Sequence, residues 1–222
     1  MTNIKKALSA LAFWDKLSNS EKKYITENTV LRTFDKGELI QNSCDSCLGM
    51  LHIISGEIRA YMISEEGREI TLFRLENNDT CILSASCVIS QITFDTQITA
   101  EKKCLMMIIN AGALAKLSDK NIYVKCFIYE LTVERFSSVM WTMQKILFEK
   151  FDRRLADFLI NQYTESNSHE IHMTHEEIAR QVNSVREVVA RMLKRFEADS
   201  LVELKRGCVK LIDIEKLKKY KN

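Results

Sequence analysis

The stretch from Asp119 to Glu149 constrains this chain more than any other. Its apolar residues Ile122, Cys126, Tyr129, Val133, Phe136, Met140, Met143 and Leu147 fall at alternating steps of four and three, the spacing of a coiled-coil seam. Neither Pro nor Gly interrupts the run. At 1.5 Å per residue such a helix would be about 45 Å long, too long to be wrapped entirely by one small domain. A single apolar stripe of that length calls for a partner, and a second copy of the same helix supplies the matching surface.

The sequence ahead of the helix reads differently from the sequence behind it. Ile4, Leu8, Leu11, Phe13, Trp14 and Leu17 are spread at helical intervals with polar residues between, unlike the unbroken apolar core of a signal peptide, and predict a docking helix. Ser18 to Glu21 has the Ser-x-x-Glu capping-box form and opens a short helix. From Val30 short apolar runs are separated by turn signals at Asp35-Lys36-Gly37, Ser55-Gly56, Glu65-Glu66-Gly67 and Glu76-Asn77-Asn78-Asp79. That rhythm predicts a compact antiparallel roll, with strands at Leu48–Ile54, Ile58–Ile63, Glu69–Leu75, Ile92–Thr99 and Leu105–Ile109. Gly56 and Gly67 can supply the positive φ of two hairpins.

Behind the long helix, Phe151 to Tyr163 starts a new amphipathic helix, which places a hinge near Phe148 to Asp152. Thr174-His175-Glu176-Glu177 is a second capping box, and Asn183 stands where a tight turn between two helices calls for a left-handed residue. On a wheel of the following helix, predicted from Ser184 to Ala198, Arg186, Glu187, Ala190, Arg191 and Lys194 share an arc of about 140°. Val185, Val188, Val189, Met192, Leu193 and Phe196 fill the rest. Leu201–Lys205 and Cys208–Ile212, joined at Arg206-Gly207, predict a β-hairpin beside this helix pair. Arginine can pair bidentately with guanine and a carboxylate can accept from cytosine, so Arg186, Glu187 and Arg191 are candidates to read DNA bases. Thr174, Lys194, Lys205 and Arg206 are candidate phosphate contacts. After Glu149 the chain carries 15 Lys+Arg against 12 Asp+Glu, an excess of about +3 that is compatible with nucleic acid.

This order of elements resembles the Crp/Fnr family of bacterial transcription regulators over essentially the whole chain. The most specific match is Arg186-Glu187-Val188-Val189-Ala190-Arg191, which is similar to the family's Arg-Glu-x-x-x-Arg recognition segment. Phe34-Asp35-Lys36-Gly37-Glu38, Ile53-Ile54-Ser55-Gly56 and Glu66-Gly67-Arg68-Glu69 also resemble its β-roll turns; Asn183 departs from the family's usual Gly. The resemblance implies an α+β chain in three parts. Residues 1–118 form a jelly-roll-like, cyclic-nucleotide-binding-like sensor with N-terminal helices, 119–149 a dimerisation helix, and 150–222 a winged helix-turn-helix. It further implies a cytoplasmic homodimer on an inverted-repeat operator with half-sites of the TGTGA kind, RNA polymerase as a protein partner, a small-molecule effector and no membrane association.

The sensor departs from family members that bind cyclic nucleotides. Their Gly-Glu-Leu and Arg-Ser/Thr-Ala stretches are matched here by Asp79 to Ser84 and by Ile92 to Ala100, without a basic residue. A buried cyclic phosphate would lack a charge partner there, so cyclic AMP is not expected as effector, and a lining that includes Phe94 suits a less polar ligand. A competing reading uses Cys44, Cys47, Cys81 and Cys87 as four thiolates for an iron-sulfur cluster or zinc, making the chain a redox or metal sensor. Seven cysteines without regular pairing fit a reducing compartment. Cys104, Cys126 and Cys208 read as packing, and His169, His172 and His175 as surface residues. An enzyme built on the roll would need converging His and carboxylate ligands, and His52 is the roll's sole histidine, so no catalytic residue is expected. A third possibility is a constitutive DNA binder whose pocket is filled by its own side chains.

Overall fold

The computed structural model describes residues 2–42, 48–82 and 96–220. In chain order it has α1 (Thr2–Leu8), α2 (Asn19–Glu27), β1 (Thr29–Phe34), β2 (Leu39–Gln41), β3 (Met50–Ser55), β4 (Ile58–Ile63), β5 (Glu69–Leu75), β6 (Thr80–Cys81), β7 (Gln97–Ala100) and β8 (Cys104–Ile109). There follow α3 (Ala111–Lys120), α4 (Ile122–Phe148), α5 (Phe151–Ser166), β9 (Glu170–Ile171), α6 (His175–Gln181), α7 (Arg186–Ala198), β10 (Val202–Lys205), β11 (Cys208–Leu211) and α8 (Ile214–Lys219). Two units emerge. One holds Met1–Ile63 and Leu72–Met140; the other holds the hairpin tip Ser64–Thr71 with Trp141–Asn222.

The first unit is the antiparallel roll. Among the described residues, one sheet runs β1-β8-β3-β6 and the other β2-β7-β4-β5. Period-two alternation sends Ile58 and Ala60, with Ile98 and Ala100 opposite them, into one core beside Leu51, Ile53 and Met106. A second core joins Leu8, Leu11, Phe13 and Ile25 to Met107 and Ile109 of β8 and to Val124, Ile128 and Leu131 of α4. Each such fully buried side chain contributes about 1.5–3 kcal/mol. Ser18 and Glu21 form the expected capping box on α2. At the hairpin Gly56 has φ +106°, and a Cβ there would lie 2.6 Å from the Cys104 sulfur, so the turn requires glycine.

The long helix differs from the sequence reading at its start. Asp119 and Lys120 finish α3, and Asn121, extended at φ −125° and ψ 109°, separates it from α4. The Asn121 side chain accepts from the Tyr123 amide at 3.0 Å, which restarts the helix. Buried residues on α4 are Val124, Ile128 and Leu131. All eight predicted seam residues stay out of the core of the single chain, with Ile122 63% and Phe136 64% exposed. Cys126, read as packing, is one of these exposed residues.

In the second unit α4 ends at Phe148 and α5 begins at Phe151, where the change of stripe placed the hinge. Its chemistry was not legible as a helix breaker. Arg154 Nη1 donates to the carbonyls of Lys145, Ile146 and Glu149 at 3.2, 3.3 and 3.0 Å, satisfying the open end of α4. α5, α6, α7 and the sheet β10-β11-β9 enclose a core of Leu155, Leu159, Ile178, Val189, Leu193 and Phe196. The short third strand β9 was not anticipated; the sequence there is polar and lies in a segment read as a helix end.

Candidate nucleic-acid interface

The helix pair is set by local chemistry at each end. Thr174 caps α6: its hydroxyl accepts from the Glu177 amide at 3.2 Å and donates to the Glu177 carboxylate at 2.9 Å, while the Thr174 amide donates to the same carboxylate at 2.7 Å. α6 then buries Ile178 and Ala179, and Asn183 turns the chain at φ +51°. The side chain of Asn183 has work beyond tolerating that φ. Its Oδ1 accepts from the Thr71 amide at 2.8 Å and its Nδ2 donates to the Thr71 carbonyl at 3.1 Å, a pairing that glycine has no atoms to make. An Asn where a turn usually takes Gly is the signal that could have pointed to a side-chain role.

α7 starts at Arg186, two residues later than the wheel assumed, with Val185 as an uncapped N-cap that is 37% exposed rather than in the core. The Arg186 and Glu187 amides of its first turn remain open to an outside anion, while the Val188 amide donates to the Val185 carbonyl at 3.1 Å. Val189, Leu193 and Phe196 are buried, and Arg186, Glu187, Arg191 and Lys194 are exposed. The Arg186, Glu187 and Arg191 side chains have no ion-pair partner among the described residues, so the Glu187–Arg191 bridge allowed by their spacing is not formed. β10 and β11 pair Lys205 with Cys208 across the turn Arg206-Gly207, where Gly207 takes φ +71°. Thr174, Arg186, Lys205 and Arg206 line one groove of about 490 Å³. Four of the seven sequence-predicted DNA residues are thus brought to one concavity, with Glu187, Arg191 and Lys194 further along α7.

Comparison with known proteins agrees with this geometry. A family model of the Crp-like helix-turn-helix domain matches residues 153–220. The crystal structure of a protein from Eubacterium rectale assigned to the Crp/Fnr family of transcriptional regulators is 37% identical. It covers 96% of this chain and 99% of its own, with a TM-score of 0.89. The chain belongs to the Crp/Fnr family. Two solved structures share the fold at low identity. The c-di-GMP-responsive global regulator CLP of Xanthomonas campestris has a TM-score of 0.67 at 17% identity, over 88% of this chain and 100% of its own. A CooA mutant of Carboxydothermus hydrogenoformans has 0.61 at 16%, over 96% and 95%. No curated protein matches in sequence. Regulators of this family bind DNA and form dimers, and among the described residues no helix is long and apolar enough to cross a membrane.

The residues singled out in the roll of this Crp/Fnr chain fall out unevenly. Cys81 is buried in β6, while Cys44, Cys47 and Cys87 lie outside the described residues, as do Leu83, Ser84 and positions 92–95 of the compared stretches. His52 is buried in β3, with Nδ1 3.0 Å from the Thr80 hydroxyl. Two cations of the roll escaped the sequence comparison because they come from other strands. Arg59 in β4 lies 4.0 Å from Glu101, and Arg74 in β5 lies 3.9 Å from Glu57, with burial holding the Arg74 pKa below its ordinary value. Cys104 is packed as expected. Its thiol donates to the carbonyls of Glu57 and Lys102, and burial pushes its pKa up.

Proposed function

We propose that this Crp/Fnr regulator acts as a homodimer on an inverted-repeat operator, reading a TGTGA-like half-site with Arg186, Glu187 and Arg191. The observation that carries this is the unengaged charged face of α7 beside the groove that Lys205 and Arg206 line. Lys194, Lys205 and Arg206 contact phosphate and fix the register. Thr174 joins them when its capping box opens, since both its donors are committed to Glu177 in the free chain. The α4 seam supports pairing, because Tyr129, Val133, Phe136, Met140, Met143 and Leu147 leave an apolar stripe uncovered by their own chain. Paired two-fold, the two heads meet half-sites about 34 Å apart, and a bound effector biases the dimer toward one head spacing. RNA polymerase is the protein partner that the family implies.

The effector is not cyclic AMP in this reading. In the roll the buried Arg59 lies 4.0 Å from Glu101 and the half-buried Arg74 lies 3.9 Å from Glu57, so each has a carboxylate counter-charge that a phosphate would have to displace. Tight binding of cyclic AMP in a titration would overturn that part alone. The test of the main proposal is affinity for a duplex carrying both half-sites against the same duplex with one half-site scrambled, at fixed salt. Strong preference for the intact repeat is expected; equal affinity breaks the dimeric reading.

A further inference from the structure

The sheet under the wing carries a group of metal-ligating side chains to which no DNA contact is assigned, one of which, Cys208, also lines the groove of Thr174, Arg186, Lys205 and Arg206. β9 and β11 pair antiparallel, with Glu170 opposite Lys210 and Ile171 opposite Val209. Because side chains alternate across a strand, Glu170 and the residue two further on, His172, share a face with Cys208. One carboxylate oxygen, one imidazole nitrogen and the Cys208 sulfur all lie within 4.8 Å of one another. The Glu170 oxygen and His172 Nε2 are 3.8 Å apart. Cys208 is 8% exposed and floors the cluster, while Glu170 and His172 stand exposed at its rim, so an ion has a way in. The neighbouring ammonium groups are engaged elsewhere: Lys205 and Lys210 lie 3.6 and 3.9 Å from Glu203.

We infer that Glu170, His172 and Cys208 form a Zn²⁺ site clipping β9 to β11 at the base of the wing. The donor set selects the ion. A thiolate with an imidazole suits a borderline-soft divalent metal, a single carboxylate is too little for Ca²⁺ or Mg²⁺, and three protein ligands leave a fourth tetrahedral position for water or another small donor. Ligand contacts near 2.0–2.3 Å need the three atoms to close in by about 1 Å, within reach of rotamer changes at the two exposed side chains. Binding converts the Cys208 thiol to a metal-bound thiolate and releases one proton to solvent. The site fixes the strand that leads out of the Arg206-Gly207 turn and does not depend on the DNA reading.

Co²⁺ titrated into the intact, metal-free, reduced chain is the direct probe, since a cobalt–thiolate bond adds a near-ultraviolet charge-transfer band and a tetrahedral field gives visible bands. One equivalent should develop both, and Zn²⁺ should displace it. Cys208→Ser should abolish the charge-transfer band, and His172→Gln, at an exposed position that does not threaten the fold, should weaken Co²⁺ at least about tenfold. A band that persists in Cys208→Ser assigns the metal to other cysteines and overturns the site. So do an absent band and an affinity unchanged by His172→Gln.

Discussion

Two sets of arginines divide this molecule. In the roll, Arg59 keeps 4% of its side-chain exposure, its guanidinium carbon lies 4.2 Å from the centroid of the Tyr61 ring, and Glu101 is 4.0 Å away; Arg74 is 24% exposed beside Glu57. In the winged unit, Arg186 and Arg191 are exposed and have no ion-pair partner among the described residues. A guanidinium shut in beside a carboxylate has its charge countered within the fold, whereas one held out on a rigid helix face offers its fork to whatever docks there. Position on the sheet or helix, not residue type, separates the two.

The largest expected effect comes from breaking the inward set. Arg59→Ala takes the cation 4.0 Å from Glu101 away and removes the stack on Tyr61; losing one member of a buried pair costs about 3–5 kcal/mol. Glu101 is still 27% exposed, so the low end, about 3 kcal/mol, is expected from urea denaturation. Sequence discrimination by the folded fraction should be untouched. A loss below about 0.5 kcal/mol, the range of ordinary surface changes, would place Arg59 with the outward set.

Arg186→Ala makes the opposite cut. Discrimination between an operator and random DNA should fall by about 1–3 kcal/mol, while the unfolding midpoint stays put. If the variant loses stability and keeps its discrimination, the contrast between the two sets collapses.

Asn183 lies between these extremes, exposed enough to be a turn residue yet bonded through both ends of its amide to Thr71. Asn183→Gly keeps the left-handed turn and deletes both bonds, for an expected cost of about 1–2 kcal/mol at about 1 kcal/mol per bond. Asn183→Ala should cost about 1 kcal/mol more, since alanine also strains at φ +51°. Equal stabilities for the two variants would mean that the turn relaxes. A glycine variant as stable as the parent would show that the amide bonds are idle.

These contrasts also mark how far the sequence could be read. Periodicity carried the strands Ile58–Ile63 and Glu69–Leu75 and the charged face of α7, because one side of each is apolar at a fixed period. Both capping boxes were legible since their partners are three residues apart. What escaped depends on distant pairing. Nothing near Lys145 announces that Arg154 will close α4, and β9 exists only because β11 supplies its hydrogen bonds. The charged neighbours of Arg59 and Arg74 likewise come from other strands or loops, so a comparison confined to Asp79–Ser84 and Ile92–Ala100 passed over them. At the interface the outward residues are legible one by one, while the groove joining Thr174, Arg186, Lys205 and Arg206 needs three dimensions.

The smallest effect tests the inward rule on a group whose charge can be switched. His52 is 5% exposed, and burial depresses its pKa below the ordinary value near 6.5 by more than the Asp79 charge restores it. The unfolded chain therefore takes up this proton at higher pH than the folded one. Stability from His52 is intact above about pH 6.5 and is lost as pH falls through the lower folded pKa. His52→Gln can keep a hydrogen bond to Thr80 but cannot titrate, so the difference between the two proteins isolates this proton from the carboxylates they share. The parent should lose stability faster than His52→Gln as pH drops from about 7 to about 5. Parallel slopes would show the ring titrating as though in water, and burial in the roll would then cease to distinguish side chains that serve the fold from those that await a partner.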